Sequence, residues 1–185
     1  MYKELENIEQ VLSGCRKDDR RAQELLYRSF YRAMMTLCLR YTKNDQDAVE
    51  VLNNGFLKVF KNIQRYDPGQ ASLYTWIRTI VVNACLDFIR SRNRQEQCQE
   101  LDDSVEVHIP PEVVGRFRAA ELLQLIRTLP PATQAVFNLY VLEGYTHKEI
   151  KELLNISAGT SKWHLSEARK LLQQRIQKEQ VEIHE

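Results

Sequence analysis

Apolar residues recur along most of this chain at spacings of three and four, the period of one face of a helix. Ile8, Val11, Leu12 and Cys15 form a short stripe, closed by the polar run Arg16-Lys17-Asp18-Asp19. Asp18 or Asp19 can cap a second helix that carries Leu25, Leu26, Phe30, Met34, Leu37, Cys38 and Tyr41. Asn44-Asp45 caps a third, with Ala48, Val51, Leu52, Phe56, Val59, Phe60 and Ile63 on its apolar side. The turn residues Tyr66-Asp67-Pro68-Gly69-Gln70 interrupt the pattern. Ser72 restarts it through Leu73, Trp76, Ile77, Ile80, Val81, Ala84, Phe88 and Ile89. Four helices with short connections predict a self-sufficient bundle over residues 1–94.

The stripe then stops. Between Gln99 and Val114 stand the acids Glu100, Asp102, Asp103, Glu106 and Glu112 without a Lys or Arg, and Pro110-Pro111 breaks the backbone. A structureless stretch longer than about 15 residues is unusual inside one compact domain, so residues 95–115 read as a linker, extended near Val105–Ile109. Helical spacing returns over 116–178, first with Phe117, Ala120, Leu123 and Ile126. Pro130-Pro131 supplies a first-turn proline for a helix through Ala135, Val136, Leu139, Tyr140 and Leu142, which Gly144 ends. Residues 179–185 are a tail. The expected fold is all-α: two small helical domains joined by an extended acidic linker.

The second domain holds the most informative local pattern. Thr146 with Glu149 makes a capping box, Asn155 suits a left-handed turn, and Ser157 can cap a longer helix through Leu165, Ala168, Leu172 and Ile176. A short helix, a tight turn and a longer helix make a helix-turn-helix. Its second helix would bring Ser157, Thr160, Ser161, Lys162, His164, Glu167 and Arg169 to a major groove. An ordinary helical hairpin with a solvated basic face is the plainer alternative. Near the end of the first bundle, Arg78, Arg90, Arg92 and Arg94 are interleaved with Tyr74, Trp76 and Phe88. Cations among aromatic rings can neutralise phosphates and stack exposed bases. Trp76 and Phe88 share the apolar stripe, which favours a core role. Tyr66 on the turn, and Asn83 within an apolar helix, fit base recognition better, although Asn83 could equally satisfy a neighbouring helix end.

Composition refines this picture. The 185 residues carry 26 Lys+Arg against 25 Asp+Glu, a net charge of only +1, which argues against a uniformly basic nucleic-acid binder. The total is a sum of opposing parts. From Ser157 to Lys178, Lys162, Arg169, Lys170, Arg175 and Lys178 face one acid, Glu167, while the linker is wholly acidic. A hydrophobic share of 43% excludes general disorder, and six Gly with five Pro disfavour a turn-rich β fold. The charged start and the short longest apolar run, Ile80-Val81-Val82, predict a cytoplasmic chain without membrane insertion. Cys15, Cys38, Cys85 and Cys98 are widely spaced, and the first three sit at apolar helix positions, which fits packing better than metal or redox use. Neither a phosphate-cradling glycine loop nor a nucleophile motif stands out. His108, His147, His164 and His184 are scattered, so neither enzyme, metal nor cofactor is implied.

Taken together, these residues resemble the small sigma factors of bacterial RNA polymerase, the extracytoplasmic-function group, over nearly the whole chain. Asp47-Ala48-Val49-Glu50-Val51-Leu52-Asn53-Asn54-Gly55-Phe56 is similar to the segment with which that family binds the polymerase clamp. The stretch from Tyr66 through Ser72, Trp76, Asn83, Asp87 and Arg90 resembles the part that opens and reads the −10 promoter element. Leu129-Pro130-Pro131 through Thr146, then Ile156 through Thr160, resembles the helix-turn-helix that reads the −35 element. The resemblance implies a non-catalytic subunit that contacts core polymerase through Asp47, Glu50, Asn53, Asn54 and Phe56. It also implies contact with promoter DNA, single-stranded on the non-template strand at −10 and duplex upstream. An anti-sigma partner is common in the family. The chain departs from the family pattern at Asn53-Asn54-Gly55, Lys151, Asn155, Trp163, His164 and Glu167. Gly55 would weaken a helix interior by about 1 kcal/mol. Rival readings are a stand-alone helix-turn-helix regulator of duplex DNA and a two-module helical adaptor.

Overall fold

The computed structural model describes residues 8–96 and 119–182. The expected linker, beyond its first two residues, and the last residues of the tail lie outside them. So do Phe117 and Cys98. The chain divides into two compact units, the division falling at Phe88 inside a continuous helix. The described residues contain α-helices, one 3-10 turn and one π turn, and no strand among them.

The first unit holds α1 (Ile8–Arg16), α2 (Arg20–Leu39), α3 (Asp45–Asn62) and α4 (Leu73–Glu96) as far as Phe88. Each start has a local cause. Asp19 caps α2, its Oδ1 accepting from the Arg21 and Ala22 N–H groups at 2.7 and 3.3 Å. Asn44 caps α3 by accepting from the Asp47 N–H at 2.8 Å. Ser72 accepts from the Thr75 N–H at 3.2 Å ahead of α4. Between α3 and α4, Asp67 Oδ1 accepts from the Gly69 N–H at 2.9 Å, as an Asx turn does.

The expected stripes are mostly buried, but Leu25 is 52% exposed, Ile8 is exposed too, and Phe60, Trp76, Ile80 and Phe88 are only half-buried. The fourth helix buries more than its stripe: Val82, Cys85 and Leu86 join Ile77, Val81 and Ala84, so α4 is enclosed on most sides. Gly55 corrects the expectation of a mere weak point in α3. A Cβ there would lie 3.1 Å from Val81 Cγ2 and 3.5 Å from Val81 Cα, so the missing side chain lets α3 approach α4 closely. Gly14 serves the α1–α2 corner in the same way, since its Cβ would stand 2.6 Å from that of Ala22. Cys15, Cys38 and Cys85 are buried free thiols, as packing predicts.

The second unit comprises α5 (Ala119–Arg127), α6 (Pro131–Phe137), a π turn (Asn138–Leu142), α7 (His147–Leu154) and α8 (Ala158–Glu182). Its core joins Leu125 and Leu129 to Ala168, Leu172 and Ile176, with Phe137 and Leu171 against it. Pro131 opens α6 as expected, but the helix does not continue in register. The Glu143 N–H donates to the Asn138 carbonyl, five residues back, at 2.9 Å. That wider turn rotates the following side chains. Tyr140 and Leu142, expected in the core, are therefore exposed beside Val141, while Leu139 stays buried. Gly144 then takes φ +78°, the left-handed cap anticipated for it.

Candidate nucleic-acid interface

On α3 the period of 3.6 separates the five expected polymerase contacts into two groups. Glu50, Asn53 and Asn54 face solvent, flanked by the exposed aliphatics Val49 and Leu57, the latter 56% accessible. The Tyr27 hydroxyl donates to Asn53 Oδ1 at 3.0 Å and so orients that amide from α2. Asp47 and Phe56 are turned inward instead. Asp47 Oδ2 accepts from Asn44 Nδ2 at 3.0 Å, completing the cap, and the Phe56 ring meets Tyr27 edge-on at 4.7 Å. Direct contact through these two side chains is thus corrected to a supporting position. Val49, inside the clamp-like segment but not among the expected contacts, and Leu57, beyond it, both lie out of register with the buried stripe. Exposed aliphatics on a polar helix face commonly mark interaction surfaces.

On α4 the solvent stripe runs along positions 72, 76, 79, 83, 87 and 90, where steps of three and four keep side chains on one face. Ser72, Asn83, Asp87 and Arg90 are exposed on it, and Trp76 is half-buried. Lys58 Nζ reaches Asp87 Oδ2 at 2.6 Å, tying α3 to α4 at the surface. Tyr66 does not present its ring to solvent. It is buried, with its centroid 5.3 Å from that of Trp76 and its hydroxyl donating to the Ala71 carbonyl at 3.3 Å. Burial first, then the Asp67 charge, pushes its phenol above 10, with Arg16 opposing. Tyr66 therefore buttresses Trp76 rather than offering a free stacking face, because the turn folds its ring back onto α4.

The helix-turn-helix forms as the caps predict. The Thr146 N–H donates to Glu149 Oε2 at 2.8 Å and the Glu149 N–H to Thr146 Oγ1 at 3.3 Å, both halves of a capping box. The Thr146 N–H and then its hydroxyl, both donating to Glu149 Oε2, hold that carboxyl below its usual range. Asn155 adopts φ 54° and ψ 46°, and Ser157 Oγ accepts from the Thr160 N–H at 2.9 Å to begin α8. On α8, Ser161, His164, Leu165, Ala168, Leu172 and Ile176 share the buried face. Two expected groove contacts, Ser161 and His164, are corrected by that placement. Ser161 shares a 2.9 Å hydrogen bond with His147 Nδ1, and His164 Nδ1 shares one of 3.0 Å with Thr133 Oγ1. Lys162 is exposed on the opposite face, with Thr160, Glu167 and Arg169 half-buried, and Ser157 is exposed at the helix start. Glu167 Oε2 is buried without a hydrogen-bond partner.

Among the described residues, no three His, Cys, Asp or Glu side chains gather as a metal group would need, and no helix is long and apolar enough to cross a membrane.

Comparison with known proteins places both units. Residues 26–95 match the family model of sigma-70 region 2, and residues 119–172 match sigma-70 region 4. The chain is 30% identical over 151 residues to the ECF RNA polymerase sigma factor SigE of Mycolicibacterium smegmatis, covering 79% of this chain and 58% of that protein. It is 23% identical to the ECF RNA polymerase sigma-E factor of Haemophilus influenzae, over 92% of this chain and 93% of that one. Among solved structures, it shares its fold with the sigma factor RpoE of Bartonella quintana, crystallised with the anti-sigma factor NepR. That likeness has a TM-score of 0.52 at 18% identity and covers 84% of this chain and 96% of the other.

Proposed function

The chain belongs to the sigma-70 family, in its extracytoplasmic-function group, and from that premise we propose how its two units direct promoter-specific transcription initiation. The protein binds core RNA polymerase in the cytoplasm and has no catalytic activity of its own. The outward face of α3, with Glu50, Asn53 and Asn54 between Val49 and Leu57, docks on the polymerase. Asn53 arrives pre-oriented by Tyr27, which lowers the ordering cost of the contact.

The α4 stripe meets the −10 element. Opening the duplex there costs a few kcal/mol per extruded base, offset by stacking and hydrogen bonding in the protein. Trp76, backed by the buried Tyr66 ring, offers the stacking surface, and Asn83 offers an amide that both donates and accepts. Arg90 supplies positive charge to the backbone, and Ser72 completes the stripe at the helix start.

Upstream, α8 lies along the −35 duplex. Lys162 and Arg169 bind phosphates or guanine edges, while Thr160 and Ser157 at the helix start present hydroxyls and main-chain amides to the backbone. Glu167 adds an acceptor suited to a cytosine amino group. Inward-facing Asp47, Phe56, Ser161 and His164 hold these surfaces in place. An anti-sigma protein that covers them would keep the factor inactive.

The observation that carries this reading is the co-occurrence, in order, of a region 2 bundle with a solvent-facing polar stripe and a region 4 helix-turn-helix with a basic outer face. Reconstitution with core polymerase on a genomic promoter library tests it. Specific start sites that appear only with the protein are expected, and uniform background transcription overturns the proposal. Binding of defined duplexes without polymerase would favour a stand-alone regulator.

A further inference from the structure

His164, expected at the groove, faces inward instead, from α8 to α6. Its Nδ1 lies 3.0 Å from Thr133 Oγ1, both side chains being buried. Its ring meets Trp163 edge-on at 4.8 Å. This pair is a polar tie between α8 and the helix behind it, two residues from Lys162 and five from Arg169 along α8. A small rotation of α8 about its axis displaces both cations from any fixed register on DNA.

Resting on the −35 reading above, we propose that His164 is a positioning residue: neutral, it locks α8 against α6 through Thr133, and its protonation loosens the reading of the upstream element.

Three observations support this. Burial holds the imidazole below its ordinary 6.5, so the folded domain favours the neutral ring. The charge that acts on it, Glu167 three residues along α8, pulls the other way and is the weaker influence. That same carboxylate has a buried Oε2 without a hydrogen-bond partner, which gives an imidazolium a competing destination away from Thr133. Across the interface, α6 offers the uncharged Thr133 hydroxyl.

The sign follows from the depressed value. A loosened domain binds a proton near pH 6.5, the locked one only below it, so the tie is fully present above 6.5 and is lost as pH falls beneath it. The second tie, His147 to Ser161, is a different case. His147 stacks on Tyr140 and is depressed by burial, Lys162 and Arg169, and phosphates that neutralise those cations relieve part of the depression. It therefore serves as an internal contrast rather than part of the proposal.

The test uses full-length protein in holoenzyme on two promoter fragments that differ only in an intact or scrambled −35 element. The readout is the ratio of their open-complex yields between about pH 7.5 and about pH 5.5, which cancels the pH response of the polymerase itself. The wild-type ratio is expected to fall several-fold on acidification, limited to about tenfold for each pH unit of depression. H164N keeps a polar atom near the Nδ1 position but gains no proton, so it should match wild type at neutral pH and stay flat. E167Q removes both the charge that favours the imidazolium and its competing destination, so it should push the fall to lower pH and make it shallower over this range.

NMR titration of the free full chain should place His164 below 6.5, and a thermal melt of each variant checks folding. Should H164N fail to fold, T133V provides the second route, because it removes the tie while keeping the histidine and should flatten the profile. A pH-independent wild-type ratio, a fall retained in H164N, or a ratio that rises in acid each overturns the positioning role. A ratio of one already at neutral pH overturns the −35 reading itself, and the positioning role with it.

Discussion

The two helices assigned to DNA, α4 and α8, are nearly equal in length at 24 and 25 residues, yet they are held in different ways. The first is buried on most of its circumference by Ile77, Val81, Val82, Ala84, Cys85 and Leu86, which leaves a narrow solvent stripe. The second buries one face, and two of the residues on that face, Ser161 and His164, are polar and tied by single hydrogen bonds. Apolar packing is non-directional, depends on no single proton, and fixes α4 as part of a core. Point ties are directional, and each is removed by one proton or one substitution. Under the proposed function, the helix that meets unpaired bases is built into the interior, whereas the one that lies along duplex packs a single apolar face and adds two polar ties.

The largest effect that could break this contrast lies in α4. Leu86→Ala should cost the first domain about 2–5 kcal/mol through transfer loss and cavity, read as a shift of the denaturation midpoint. A cost below about 1 kcal/mol would mean that the helix is not enclosed as described. Gly55→Val comes next. It forces a branched side chain against Val81, already 3.1 Å from the position of a Cβ, and should cost about 1–3 kcal/mol in the same experiment. Ser161→Ala should cost the second domain about 1–2 kcal/mol, because His147 loses its partner, while the first domain melts unchanged. Smallest in stability are the outward residues. Lys162→Ala should leave both unfolding transitions within about 0.5 kcal/mol. It should nonetheless lower the salt dependence of upstream DNA binding by about one unit of slope. Asn83→Ala should likewise melt normally and lose open-complex formation.

What could be read from the sequence divides along the same line. The caps at Asp19, Asn44, Thr146 and Ser157, the left-handed Asn155 and the Gly144 stop are decided by a few neighbouring residues, and all formed as expected. The buried stripes were legible at most positions that apolar residues defined, with Ile8 and Leu25 exposed all the same. Orientation failed where polar residues occupy inward positions. Ser161 and His164 stand four residues before Leu165 and Ala168, so their register was available, but residue type suggested a reading role. The exposure of Tyr140 and Leu142 could not be read, because a π turn shifts the frame by one residue without a sequence marker. The role of Gly55 needed the position of α4. On the candidate surfaces, Ser72, Trp76, Asn83, Asp87 and Arg90, grouped by the family resemblance, do share one face of α4, although Trp76 was expected in the core.

The three buried thiols have a practical consequence. Burial, with Asp19 nearby, pushes Cys15 up to about 11, and burial beside Cys38 raises Cys85 well above 9. Thiolate is the reactive form, so maleimide dyes at neutral pH should pass these side chains by. A cysteine introduced at Thr79, on the exposed stripe of α4, would then be a far more reactive target in the first domain without mutating any native thiol there. Its fluorescence could report promoter melting as it happens, from a helix whose interior the label never touches.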